Sequence, residues 1–421
     1  MPLRISAALL YAVAFMAQYH FLMVPHFGYW GFGDLSGVLE CLYLLPLMVA
    51  PALCMPERID RPSALFAFLN YTIIYVPVCV LLFHSTLTSI SLADQWAILI
   101  ALAASTALLF EVPRLPSIPL RRGRLSGGAI LAACWCVLGA VVLMTLAVNR
   151  IGFFGFKGIG AARAAYTENI RPLGPYFGYF DAWCGLAIIP FLFVVCLRKD
   201  RRWGWLLLSA VCVLLFMTSG RKTALLTPLA VLGSYFGVKK GLRTPALLFV
   251  FSGLLLVPFV FGALGLSGPR DLYYNVINFR IFAVPQILIP QYYSYYLANG
   301  FTHFRSINVV NRFFFGGAAF EQPWAAIARF YYKKKFTADA VFYATDGLAA
   351  LGIVGIPCVT AACVLVFWIF DSLQKGHSAL LMLPCMMPFL FSLFNNSLFT
   401  TMLTGGGFVL MALFYLLPDT A

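Results

Sequence analysis

Residues 203–238 read WGWLLLSAVCVLLFMTSGRKTALLTPLAVLGSYFGV. Two apolar runs, 203–219 and 223–238, flank the short break Thr218-Ser219-Gly220-Arg221-Lys222-Thr223, and each is long enough to cross about 30 Å of hydrocarbon as a helix. The stretch therefore reads as a helical hairpin whose second helix starts at two cations. A helix N-terminus is already partly positive, so Arg221 and Lys222 repel it. The arrangement is favourable when an anion such as a phosphate is held there, because the first amide protons and the Arg guanidinium both direct donors at it.

The same apolar pattern recurs along the chain. The 421 residues are 62% hydrophobic and 10% charged, with a mean hydropathy of +0.89, which excludes a soluble globular domain. Runs of spanning length occur at 4–23, 35–55, 63–83, 95–112, 127–149, 177–197, 203–219, 223–238, 244–266, 344–370, 378–396 and 400–417. These predict an all-α integral membrane protein with about twelve spans, one multispanning domain over 1–421. The first run follows a single Arg4, shows no small-residue cleavage pattern and is followed by another span, so it reads as an anchor. All 11 cysteines, from Cys41 to Cys385, lie inside the runs. Thiols so placed are small apolar packers, and neither disulfides nor a metal site is inferred.

Lys and Arg in short connections mark the cytoplasmic side. Arg58 and Arg61, then Arg114, Arg121, Arg122 and Arg124, then Arg198, Lys199, Arg201 and Arg202, then Lys239, Lys240 and Arg243, then Lys375, fall in alternate loops. Both termini are accordingly expected to be cytoplasmic. Three outer segments break the pattern and hold nearly half of the 29 basic residues: the loop Arg150 to Asp181, the Arg221-Lys222 hairpin, and the loop from Ser267 to about Phe342. Long loops translocate whatever their charge, but that does not cover the hairpin. Nucleic acid is a poor partner for cations scattered over such loops, since it would call for a compact basic module. A lipid-linked phosphate or diphosphate suits them.

The loop 267–342 is rich in Tyr, Arg and amides. The apolar stretch near Ile281 to Pro290 is too short to span alone, and the alternation through Tyr292, Tyr293, Tyr295 and Tyr296 predicts a helix resting on the outer leaflet, partly re-entrant. A thirteenth span there would put Lys375 outside. Tyr274, Tyr292, Tyr293 and Tyr296 read either as an aromatic belt or as rings that stack on sugar faces beside hydroxyl-bonding amides. His303, Arg305 and Arg312 follow, offering an imidazole for proton transfer near neutrality and planar forks for phosphate oxygens, against the plain reading of a solvated loop. Lys333, Lys334 and Lys335 suit anionic headgroups.

An outer Ser-Gly-Arg hairpin, a large outer loop rich in Arg and Tyr, and the entry Ala338-Asp339-Ala340 through Asp346-Gly347 to Gly352 and Gly355 resemble the Wzy-type O-antigen or oligosaccharide repeat-unit polymerases. That family is described as having Arg-x10-Gly motifs in two periplasmic loops, and Arg163 to Gly174 and Arg305 to Gly316 have that spacing. The resemblance implies glycosyl transfer at the periplasmic face of the bacterial inner membrane, from one undecaprenyl-diphosphate-linked glycan to the next. It also implies a flippase and a chain-length regulator as protein partners.

Such chemistry asks for charge neutralisation on the leaving diphosphate and a base for the acceptor hydroxyl. Arg221 and Arg280, with Arg163, Arg171, Lys222, Arg270 and Arg305, are assigned to diphosphate. His303 is the leading base, with Glu168, Asp271 and Asp339 as rivals. No Asp-x-Asp or His cluster is present, and neither metal nor cofactor is expected. Two other classes share the composition. A transporter would show ionisable groups near mid-membrane and repeats, whereas the spans here are nearly free of such groups, Glu40 being the main exception and lying toward the outer end. An O-antigen ligase shares the outer arginines and the outer His.

Overall fold

The computed structural model describes the chain except residues 1, 36–37, 121–122, 124, 150, 153–157, 242, 319, 334–337 and 419–421, and except the side chains of 38–42, 175 and 308–309. Arg121, Arg122, Arg124, Arg150, Lys334, Lys335 and the side chain of Glu40 thus lie outside the described residues. No strand forms among the described residues; every regular element is helical. Among the described residues, eight helices are long and apolar enough to cross a membrane: Pro2–Trp30, Pro62–Leu81, Leu92–Arg114, Gly127–Val148, Tyr176–Arg198, Arg202–Ser219, Thr244–Ala263 and Tyr343–Gln374.

The other four expected spans are also helical, but shorter, less apolar or broken. Val38–Val49 meets Pro51 and tightens to a 3₁₀ turn. Lys222–Lys239 keeps a lysine at each end. Ala379–Leu393 is short, and the last run divides into Leu398–Leu403 and Gly407–Leu416. Apolar runs report hydrocarbon-like composition, whereas proline and paired glycines decide where a helix stops.

Proline also explains three of the five widened turns among the described residues. Three π-helical segments, Tyr19–Met23, Asn70–Tyr75 and Cys184–Ile188, end two residues before Pro25, Pro77 and Pro190. A proline ring clashes with the carbonyl four residues back and donates nothing to it, and a wide turn moves that carbonyl aside. Two of the carbonyls that prolines orphan are bound from neighbouring elements, since hydrocarbon cannot satisfy them. Pro77 frees the carbonyl of Ile73, which accepts from Gln286 Nε2. Pro51 frees that of Leu47, which accepts from Tyr75 Oη at 2.7 Å.

Pro62–Leu81 is wholly enclosed by protein and forms the centre of the bundle. Against it lies the bent pair Ser267–Phe282 and Val284–Asn299, hinged by 40°. This corrects the expectation of a helix on the outer leaflet, because every residue from Val284 to Tyr293 is buried in protein. Gln286 on Ile73 and Gln291, which accepts from Tyr332 Oη at 2.7 Å, fix it there.

The loops sort to two ends. Arg4 donates to the carbonyls of Leu53 and Met55, Arg58 bridges Arg243, Arg61 donates to Pro113, Gln374 to Asp60, and His377 contacts Phe414. The short basic loops and both ends of the described chain therefore share one end of the bundle. The opposite end gathers 31–34, 84–86, 163–181, 219–222, 267–280, 301–318, 320–333, 338–340 and 396–405.

Candidate functional site

At that opposite end the hairpin supplies the first two cations. Arg202–Ser219 ends in Gly220 at φ 64°, a left-handed closure that favours glycine. A Cβ there would also press on the Ile159 carbonyl at 3.1 Å and the Arg163 side chain at 3.3 Å. The helix Ile159–Ile170 thus lies directly over the hairpin, and Arg163 Nε donates to the Gly220 carbonyl at 3.0 Å. Lys222–Lys239 begins at Arg221 with no side-chain cap, so its first amide protons face the same space.

Arg221 is not bare, as its sequence context had implied. Its guanidinium is 2.5 Å from Asp181 Oδ2, a carboxylate only 6% exposed. Tyr166, also buried, donates to the same oxygen at 2.8 Å and lies under the guanidinium, 5.2 Å from its ring centroid. Asp181 and Tyr166 orient Arg221, and neither stood out in the sequence because each lies at least 40 positions from it, in another segment.

Arg280 arrives from the bent pair. It is exposed to solvent. Arg163 and Lys222 both sense the charge of Arg280. Burial first, and then Arg280 and Arg221, lowers the Arg163 pKa; burial first, and then Arg163 and Arg280, lowers that of Lys222. Like-charge crowding that depresses cations is relieved by an anion. Asp339 is the acid whose charge reaches Arg280. It stands half-buried between the fully buried Ala338 and Ala340, with the Ala338 carbonyl held by Tyr292 Oη at 2.8 Å.

The remaining site residues expected from sequence divide clearly. Arg305 is held within its own loop by Asn311 and the rings of Phe315 and Phe320. Arg270 pairs with Asp271 at 3.0 Å, which occupies that rival base. Arg171 and Glu168 are exposed on the covering helix and the turn after it. His303 is exposed, with left-handed backbone at φ 48° and its N–H on the Ala350 carbonyl. The tyrosines expected to stack on sugar do not have free faces. Tyr274, Tyr292, Tyr293 and Tyr296 are 0–5% exposed; Tyr274 packs on Phe27, and Tyr293 bonds to Asp94. The alternation reflected burial within protein, not a half-wet belt.

Comparison with protein-family models, curated proteins and solved structures finds no match. The chemistry of the site therefore rests on its own geometry: four cations and an uncapped helix start around two carboxylates, beside long apolar helices.

The orienting pair yields a direct expectation. Asp181→Asn removes the charge that fixes Arg221, and affinity for an anion at this end is expected to fall about tenfold or more, the scale of a lost hydrogen bond to a charged group. Tyr166→Phe keeps the ring under Arg221 and loses one hydrogen bond, worth about 1 kcal/mol. Affinity for a diphosphate anion and thermal unfolding measured on both variants check this; equal affinity of Asp181→Asn and wild type would refute the orienting role.

Proposed function

We propose that the protein is an O-antigen polymerase, a membrane glycosyltransferase that joins undecaprenyl-diphosphate-linked oligosaccharide repeat units at the periplasmic face of the bacterial inner membrane. What supports this reading is the convergence of Arg163, Arg221, Lys222 and Arg280 from three separate outer segments.

The acceptor hydroxyl oxygen attacks the anomeric carbon of the donor glycan. The bond from that carbon to the diphosphate oxygen breaks, and its electron pair leaves with undecaprenyl diphosphate. The four cations and the start of Lys222–Lys239 neutralise the charge that builds there. Asp339 takes the hydroxyl proton; it is the candidate base whose charge reaches this group, ahead of His303, Glu168 and Asp271. Grooves between the apolar helices hold the polyprenyl tails, and the flippase and chain-length regulator implied by the resemblance act before and beside it.

Glycan ladders from cells lacking the protein test this. A single repeat unit on the lipid core supports polymerisation. Bare core with polymer stranded on the carrier would instead identify a ligase, and repeat units that never reach the outer face would identify a flippase.

A further inference from the structure

The loop Gly31 to Asp34 is stitched to His84 to Thr86 at the same end of the bundle. Gly33 N–H donates to the His84 carbonyl at 2.6 Å, Thr86 N–H to that of Gly31 at 2.8 Å, and Phe32 bridges Ser85. This wall backs a recess of about 410 Å³ lined by Asp34, Tyr43, Phe83, His84, Thr86 and Gln95, among others. The volume falls in the range of small-molecule sites.

The lining has a definite chemistry. Gln95 offers both donors and an acceptor, Thr86 a hydroxyl and Asp34 acceptors, while no Lys or Arg lines the recess. His84 Nδ1 donates to the Val80 carbonyl at 2.8 Å, which fixes the ring. Tyr43 leaves 41% of its surface open, and Trp96 braces both Tyr43 and Phe83, with ring centroids 6.3 and 5.2 Å away. Hydroxyl-bonding groups beside an open ring, without a cation, suit a neutral polyhydroxylated ligand and exclude a second phosphate grip. Phe32, next to the lining residue Gly33, packs edge-on against Phe279, the residue before Arg280, with ring centroids 6.1 Å apart.

We propose that this recess is a subsite for the neutral sugars of a lipid-linked repeat unit whose diphosphate lies at Arg280, a role the buried tyrosines do not fill. The inference rests on the polymerase reading. Its test uses the purified full chain and two probes: undecaprenyl diphosphate without sugar, and the same carrier bearing one repeat unit, extracted from cells lacking the protein. A Thr86→Val/Gln95→Ala variant is expected to bind the sugar-free carrier as wild type does, and the glycosylated carrier about tenfold more weakly or worse. Tyr43→Ala, at an exposed ring, decides in the same way should the double variant lose the sugar-free carrier. Wild-type affinity of both variants for the glycosylated carrier overturns the subsite and leaves the polymerase reading standing. Failure of the wild type to bind either carrier overturns both.

Discussion

Arg280→Ala is expected to lower polymer formation about 100-fold or more, the scale on which a lost charge-stabilising donor slows group transfer, while leaving the empty protein at least as stable. Both halves follow from the same crowding. The Arg280 charge presses on Arg163 and Lys222, so its removal relieves repulsion in the absence of substrate and removes a donor in its presence. Arg280→Lys keeps the charge but not the planar fork, and is expected to retain part of the activity, about tenfold down. Polymer formation and melting temperature measured together separate this outcome from simple misfolding. A variant that is both active and unchanged in stability would show that Arg280 stands outside the site.

Gly355→Ala is expected to destabilise the protein strongly. An added Cβ would lie 2.0 Å from the Gly347 carbonyl oxygen and 2.5 Å from its carbon, and both are backbone atoms with no rotamer to yield. The approach arises because the last long helix widens over Tyr343–Leu348 and then turns through a 3₁₀ segment at Gly352–Val354. Parting the two glycines would also drag on Asp346, which accepts the Leu398 N–H at 2.5 Å at the start of Leu398–Leu403. Overpacking against rigid backbone costs about 3 kcal/mol or more, a fall of roughly 6 °C or more in melting temperature. Thermal unfolding in detergent checks it; a variant that melts with the wild type would mean the helix bends more freely than its packing implies.

Much of the bundle is legible because hydrocarbon-length runs need no long-range information. What composition does not convey is where Pro51 tightens a helix or where Gly405 and Gly406 divide one, so eight long apolar helices stand beside four shorter or less apolar ones. The cations at 163, 221, 222 and 280 were legible because charge in outer segments of a membrane bundle calls for a reason. The pairing of Arg221 with Asp181 was not, since the partner lies 40 positions away and an acid in a loop looks the same paired or solvated. The tyrosines misled for a related reason: period and ring type are identical whether a helix faces headgroups or protein, and only the enclosing elements distinguish the two. Arg305 matches the spacing of Arg163 but is absorbed by its own loop, because spacing along a chain does not specify what a side chain meets.

The central claim, that these cations grip a diphosphate, is tested most directly by ligand-induced thermal stabilisation of the purified protein. Undecaprenyl diphosphate at about 100 times its dissociation constant adds roughly 2.7 kcal/mol to the folded state, so the wild type should melt higher with it and not with uncharged undecaprenol. The Arg163→Ala/Arg221→Ala/Arg280→Ala variant should show no such rise. No shift for the wild type, or the same shift for the triple variant, would contradict the account.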